Sequence, residues 1–138
     1  MDPSRRSKGP AAQAWLWAPV ALWMAVLFAA SAQSDIGIAG RIPDWLTHGS
    51  AYLLLGVLVG RALAGGLGRS LSAPRAVLAV VLCTFYGVTD EIHQSRVPGR
   101  DASAGDVAKD LGGAAVGVAI LRGLAPVLRR PAQEEPLA

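Results

Sequence analysis

Three pairs of polar residues, each four positions apart, are the part of the sequence best suited to chemistry. The pairs are Asp44 with His48, Asp90 with Gln94, and Asp106 with Asp110. Residues four apart share one face of a helix, so each pair predicts a polar helix face. We predict that these faces meet in one binding pocket, formed by Asp44, His48, Tyr52, Asp90, Glu91, Gln94, Arg100, Asp106 and Asp110.

These residue types allow acid–base or metal chemistry. Glu91 or Asp90 could act as a general base, and His48 or His93 could carry the proton. A divalent cation is the second possibility. The carboxylates favour a hard ion, whereas two histidines would suit zinc. The sequence alone does not decide which residues are catalytic or which cofactor binds. A metal site would require the three polar pairs to lie close together in the fold.

Two arginines adjoin these acids in the segment SRVPGRD, residues 95–101. Arg96 and Arg100 could neutralise the acids, or Arg100 could bind phosphate or carboxylate from a turn at Pro98-Gly99. The plainer interpretation treats every polar pair as a solvated helix end. Asp35 and Asp101 are interpreted as ordinary loop residues. No nucleophile elbow, Walker loop, dinucleotide fingerprint or HExxH motif is present in the sequence.

The elements that would position these residues are predicted to be membrane helices. The chain of 138 residues is 52% hydrophobic with a mean hydropathy of +0.39, which is above ordinary soluble composition. Its basic residues are dispersed between apolar runs, so the net charge of +3 does not indicate nucleic-acid binding. Cys83, the single cysteine, cannot form an intrachain disulfide and suits a buried apolar position.

The apolar runs predict an all-α fold with four transmembrane helices. We expect spans at about 14–33, 43–67, 74–94 and 104–128 within a membrane domain of residues 13–128, flanked by a basic tail (1–12) and a disordered tail (129–138). The third and fourth cores are short enough to be re-entrant segments instead. Ala30-Ser31-Ala32 also resembles a signal-peptide cleavage site, although an h-region of ~7–15 residues is shorter than this first run.

The loop charges predict that both termini are cytoplasmic. Nine basic residues then lie inside and four outside, in agreement with the positive-inside rule. The inner residues are Arg5, Arg6, Lys8, Arg61, Arg69, Arg75, Arg122, Arg129 and Arg130, and the outer ones are Arg41, Arg96, Arg100 and Lys109. The polar pairs would therefore face the extracytoplasmic side of a bacterial inner membrane.

The sequence resembles the VanZ-like family of small bacterial membrane proteins over about residues 15–125. The likeness rests on the segments SAQ (31–33), DWLTHGSAYLLLG (44–56), YGVTDEIHQSRVPGR (86–100) and SAGDVAKDLGG (103–113). The chain departs from the family pattern at Trp45, where a lysine is usual, and at Gly49, where an aromatic residue is frequent. The missing lysine removes one partner that the acids would otherwise have.

The resemblance implies a cell-envelope protein linked to resistance against the glycopeptide teicoplanin. We expect it to bind an anionic lipid or a lipid-linked cell-wall intermediate at the outer face, through Arg100, Arg96 and His48. An intramembrane hydrolase or transferase acting on a lipid-linked phosphate is the alternative, with Asp106 or Asp110 on a metal. A third possibility is a structural protein that stabilises a membrane partner, whose identity the sequence does not indicate.

Overall fold

The described residues form four α-helices and no strand, which confirms the all-α prediction. The structure is a computed structural model that describes residues 9–33 and 43–129, without the side chain of Asp44. The helices are α1 (Pro10–Ser31), α2 (Asp44–Ala64), α3 (Ala73–Gln94) and α4 (Ala104–Leu124). The remaining residues of the two predicted tails, 1–8 and 130–138, lie outside the described part of the chain.

Local residue choice accounts for where the helices begin and end. Proline occupies the first turn of both α1 and α3, where its missing N–H costs nothing. Helix α2 ends at Gly65, whose φ of 84° is the left-handed conformation that closes a helix. At the start of α4, Ser103-Ala-Gly-Asp106 resembles a capping box with Asp in place of Glu, and this pattern predicts a serine cap. The Ser103 hydroxyl accepts the Asp106 N–H at 3.2 Å, which confirms the cap. These caps fix the positions of the polar residues along each helix.

Three of the four helices, α1, α2 and α3, are long and apolar enough to cross a membrane. Large apolar side chains also cover their outer surfaces, as at Trp15, Leu22, Val77 and Phe85. A lipid environment explains such exposure, since a soluble protein rarely exposes so continuous an apolar surface. Helix α4 does not belong to this group because it carries four charged residues along 21 positions. Its role as a fourth span therefore stays a prediction.

Glycines allow α2 and α4 to pack with their backbones in contact. A Cβ added at Gly113 would overlap the Gly49 carbonyl, and one added at Gly117 would overlap that of Leu53. On the opposite helix, Gly56 meets the Ala114 backbone in the same way. Close approach through small residues is how membrane helices gain packing energy without a hydrophobic driving force.

Small residues at four- or five-residue spacing predict close helix packing at Gly56, Gly60, Gly112, Gly113 and Gly117, and two of these glycines behave differently. Gly60 faces the side chain of Leu121 instead of a backbone. Gly112 has no atom within 4 Å of its added Cβ, so the prediction that it serves close packing is wrong. The difference follows from helical geometry, because successive residues point about 100° apart and only Gly113 is directed at α2.

Polar contacts join α1 to the other helices. The Trp23 indole N–H donates to the Ala51 carbonyl of α2 at 3.0 Å, and the Tyr86 hydroxyl of α3 donates to the Met24 carbonyl at 2.6 Å. Leu16 and Val20 of α1 belong to the same buried core as Leu55 of α2. Helix α1 is thus a packed member of the bundle.

Candidate functional site: a buried polar cluster at one end of the bundle

Polar side chains from all four helices converge at one end of the bundle. The end of α1, the start of α2, the end of α3 and the start of α4 meet there because each loop reverses the chain direction. We call this group the polar cluster; its members are Ser31, His48, Tyr52, Asp90, Glu91, Gln94 and Asp110. All are buried except His48, which is partly exposed.

Asp90 connects α1 and α3. Its Oδ1 accepts the Ser31 hydroxyl of α1 at 2.7 Å, and its Oδ2 accepts the Gln94 amide at 3.1 Å. Both carboxylate oxygens therefore have a donor, which satisfies a buried acid that would otherwise be expensive. The sequence-predicted Asp90 and Gln94 pair is formed, with Ser31 as an additional member.

Only one of the two carboxylate oxygens of Glu91 has a hydrogen-bond partner among the described residues. Its Oε2 accepts the backbone N–H of Ser103, at the N-terminus of α4, at 2.7 Å. Its Oε1 is buried and has no hydrogen-bond partner among the described residues, although the whole residue is only 4% exposed. A buried carboxylate oxygen without a donor is unusual in folded proteins and calls for a ligand.

His48 and Asp110 form the deepest contact of the cluster. The His48 Nδ1 lies 3.0 Å from Asp110 Oδ1, and Asp110 is only 1% exposed. Gly87 of α3 makes room for this arrangement, because a Cβ there would lie 2.9 Å from Asp110 Oδ2 and 3.4 Å from Cε1 of Tyr52. The Tyr52 hydroxyl is itself buried without a partner among the described residues.

One atom each from His48, Glu91 and Asp110 lie within 4.8 Å of one another. An imidazole nitrogen and two carboxylate oxygens are all ligands that divalent metals accept. An imidazole oriented by a carboxylate is also the arrangement that general bases use. The geometry therefore brings together residues from two different sequence pairs, and adds Glu91 from beside the third.

Arg100 lies beside the cluster on a tight turn. The Arg100 N–H donates to the Val97 carbonyl at 3.1 Å, and Gly99 has a φ of 81°, so the turn expected at Pro98-Gly99 is present. Its guanidinium donates to Gln94 Oε1 at 2.7 Å and to the Gln33 carbonyl at 3.5 Å. Both acceptors are neutral, and no ion pair between Arg100 and a carboxylate occurs among the described residues.

The other predicted site residues are placed less centrally. Asp106 is half-buried and pairs with Lys109 at 2.5 Å on its own helix. The ring of His93 stacks on Phe28 with centroids 4.1 Å apart, and its Nε2 is buried without a partner among the described residues. His93 is therefore not part of the three-residue ligand group. The side chain of Asp44 lies outside the described part of the structure.

Comparisons with known proteins found no relative of this chain. No protein-family model, curated protein or solved structure matches this chain. Inferences about the site consequently rest on the residues and their geometry.

Two contributors to the site were not singled out from the sequence. Ser31 appeared only as part of a possible cleavage site and of the family-like segment, and its contact with Asp90 depends on how α1 packs against α3. Gly87 appeared only within the family-like segment 86–100, because its importance depends on which side chains of α2 and α4 pass it. Ser95, which the sequence offers together with Ser103 as a serine that folding could bring near a histidine, is exposed, and its hydroxyl donates to the Ile92 carbonyl.

Proposed function

We propose that this chain is a VanZ-like inner-membrane protein of the bacterial cell envelope that binds a phosphate-bearing amphiphile at its extracytoplasmic end. The ligand would be an anionic lipid or a lipid-linked cell-wall intermediate. The three apolar helices support the membrane class, and the loop charges support the orientation. In this proposal α4 crosses the membrane as the fourth span, with its charged residues at the two ends and Asp110 buried against α2.

The proposal rests on the position and the charge of Arg100. Its guanidinium donates to neutral oxygens of Gln94 and Gln33, and it forms no direct ion pair with an acid among the described residues. Arginine presents a planar set of donors that suits phosphate, especially where the side chain is already positioned. A head group entering from the bilayer surface would meet this arginine at the rim of the polar cluster.

The family resemblance supports a ligand from cell-wall synthesis. Teicoplanin acts on lipid-linked precursors outside the membrane, and the VanZ-like family is associated with resistance to it. Segments of the resemblance contribute every member of the polar cluster. A protein that holds such a precursor, or a lipid near it, would alter access of the antibiotic to its target.

Binding can be tested with a polyprenyl phosphate on purified protein in nanodiscs of phosphatidylcholine. We expect saturable binding that Arg100→Gln weakens about tenfold or more, since a charged hydrogen bond contributes about 1.5–3 kcal/mol. Arg122→Gln is the matched control because this exposed arginine lies near the other end of α4. Equal binding by wild type and Arg100→Gln would refute the role of Arg100. Phosphatidylglycerol in the same assay separates a general anionic lipid from a polyprenyl ligand.

A second candidate function, phosphate-ester hydrolysis or transfer, is favoured by the contact between His48 and Asp110. A carboxylate that orients an imidazole next to a second acid, Glu91, resembles the arrangement used for general base catalysis. Release of phosphate from a lipid-linked pyrophosphate by the purified protein would support this function. Tight binding without turnover would favour the binding function.

A further inference from the structure

The innermost part of the polar cluster has the composition of a metal site. His48 from α2, Glu91 from α3 and Asp110 from α4 each present one donor atom, and the three atoms lie within 4.8 Å of one another. Three different helices supply them, so the site exists only in the folded bundle. We propose that these three residues bind one divalent transition-metal ion of the zinc type.

Two unsatisfied groups point to a ligand at this position. Glu91 Oε1 and the Tyr52 hydroxyl are buried without a hydrogen-bond partner among the described residues, and these residues are only 4% and 2% exposed. Tyr52 and Asp110 border the same point on α3, next to Gly87. A buried polar atom without a partner is destabilising. A metal ion on Glu91 and a metal-bound water near Tyr52 remove both costs.

The charge of the cluster also favours a bound cation. Glu91 and Asp110 are two buried carboxylates, and among the described residues neither forms an ion pair with lysine or arginine, while Asp110 contacts the His48 imidazole. Buried charges are normally paired or coordinated to a metal, because desolvation of an isolated ion is expensive. A doubly charged ion balances both carboxylates and leaves His48 as a neutral ligand.

The ligand atoms of His48, Glu91 and Asp110 favour some metal ions over others. One imidazole and two carboxylates resemble the three-ligand sets that hold zinc and leave a coordination position open. Calcium requires six to eight oxygen ligands, which this small group does not supply. Manganese accepts the same mixture of nitrogen and oxygen and can report on the site spectroscopically.

This inference goes beyond the proposed function and stands on separate residues. The phosphate contact rests on Arg100, whereas the metal contact rests on His48, Glu91 and Asp110. If both hold, the bound cation offsets the negative charge of the acidic cluster, which explains how the cluster accepts an anion. Metal binding is measured without lipid, so failure of one proposal leaves the other intact.

The test uses full-length protein without an affinity tag, purified in detergent and freed of metal with a chelator. Calorimetric titration with Zn²⁺ should give one ion per chain, and Ca²⁺ should bind at least about tenfold more weakly. Glu91→Gln and Asp110→Asn should each weaken Zn²⁺ binding by more than the about 10–100-fold expected for an outer-shell change. Asp101→Asn removes an exposed acid and should leave the affinity unchanged.

A measurement on the unaltered protein covers the case in which these variants fail to fold. With Mn²⁺ bound, pulsed electron paramagnetic resonance should show coupling to one imidazole nitrogen, and His48→Gln should abolish it. The sequence has only two histidines, so the signal is readily assigned. Absence of stoichiometric Zn²⁺ binding, absence of nitrogen coupling in the wild type, or unchanged binding in folded Glu91→Gln and Asp110→Asn would each overturn the metal site.

Discussion

Replacement of Gly113 by alanine should separate α2 from α4 at the level of the polar cluster. The added Cβ would lie 3.0 Å from the Gly49 carbonyl carbon and closer still to its oxygen, whereas ordinary contact begins at 3.4 Å. Backbone atoms cannot rotate away as a side chain can. The two helices must therefore part by roughly 1 Å to restore a normal distance at the oxygen.

That displacement acts directly on the site because Gly49 follows His48 and Gly113 lies one helical turn from Asp110. The His48 to Asp110 contact is now 3.0 Å, and an opening of roughly 1 Å places it beyond hydrogen-bond range. Overpacking costs about 1–3 kcal/mol, and a hydrogen bond to a charged group contributes about 1.5–3 kcal/mol. We expect Gly113→Ala to lower the free energy of unfolding by several kcal/mol.

The adjacent Gly112 provides a matched control. It is exposed and has no atom within 4 Å of an added Cβ, so Gly112→Ala changes the same residue type without a clash. In a helix this substitution should be neutral or stabilising by up to about 1 kcal/mol. Thermal unfolding of both variants in the same detergent measures the difference, and the ¹⁵N chemical shift of the His48 ring reports its contact with Asp110.

Two results would refute the reasoning. If Gly113→Ala unfolds at the same temperature as Gly112→Ala, then backbone contact between α2 and α4 does not limit packing. If stability falls but the His48 ring signal is unchanged, the helices yield elsewhere and the site is independent of this glycine.

Two further predictions concern topology and the link between α1 and α3. Reporter fusions in the loop between α2 and α3 should indicate cytoplasm and those between α3 and α4 the exterior; the same side for both would contradict a spanning α3. Ser31→Ala should lower the free energy of unfolding by about 1–3 kcal/mol because Asp90 Oδ1 loses its buried donor. Ser95→Ala, at an exposed serine, should be within about 0.5 kcal/mol of wild type, and equal melting of the two serine variants would exclude the Asp90 contact as a stabilising one.

The sequence by itself determined the class of fold and the candidate site residues. Apolar runs of helical length, bounded by prolines, glycines and a serine cap, predict an all-α membrane protein because these signals are local. Spacing of four places Asp90 with Gln94 on one helix face, and the contact between them is present in the structure. The sequence signal for the start of α4 is equally local, since the Ser103 side chain caps its own helix.

The tertiary structure decided which of these residues face each other. Only helix packing shows that His48 pairs with Asp110 from another sequence pair, that Glu91 joins them, and that His93 stacks on Phe28 instead. Such contacts depend on helix rotation and separation, which the 3.6-residue period alone does not specify. Gly112 and Gly113 show this most clearly: they are identical and adjacent in sequence, but only Gly113 is directed at the Gly49 carbonyl, and that contact sets the distance between the helices that carry the site.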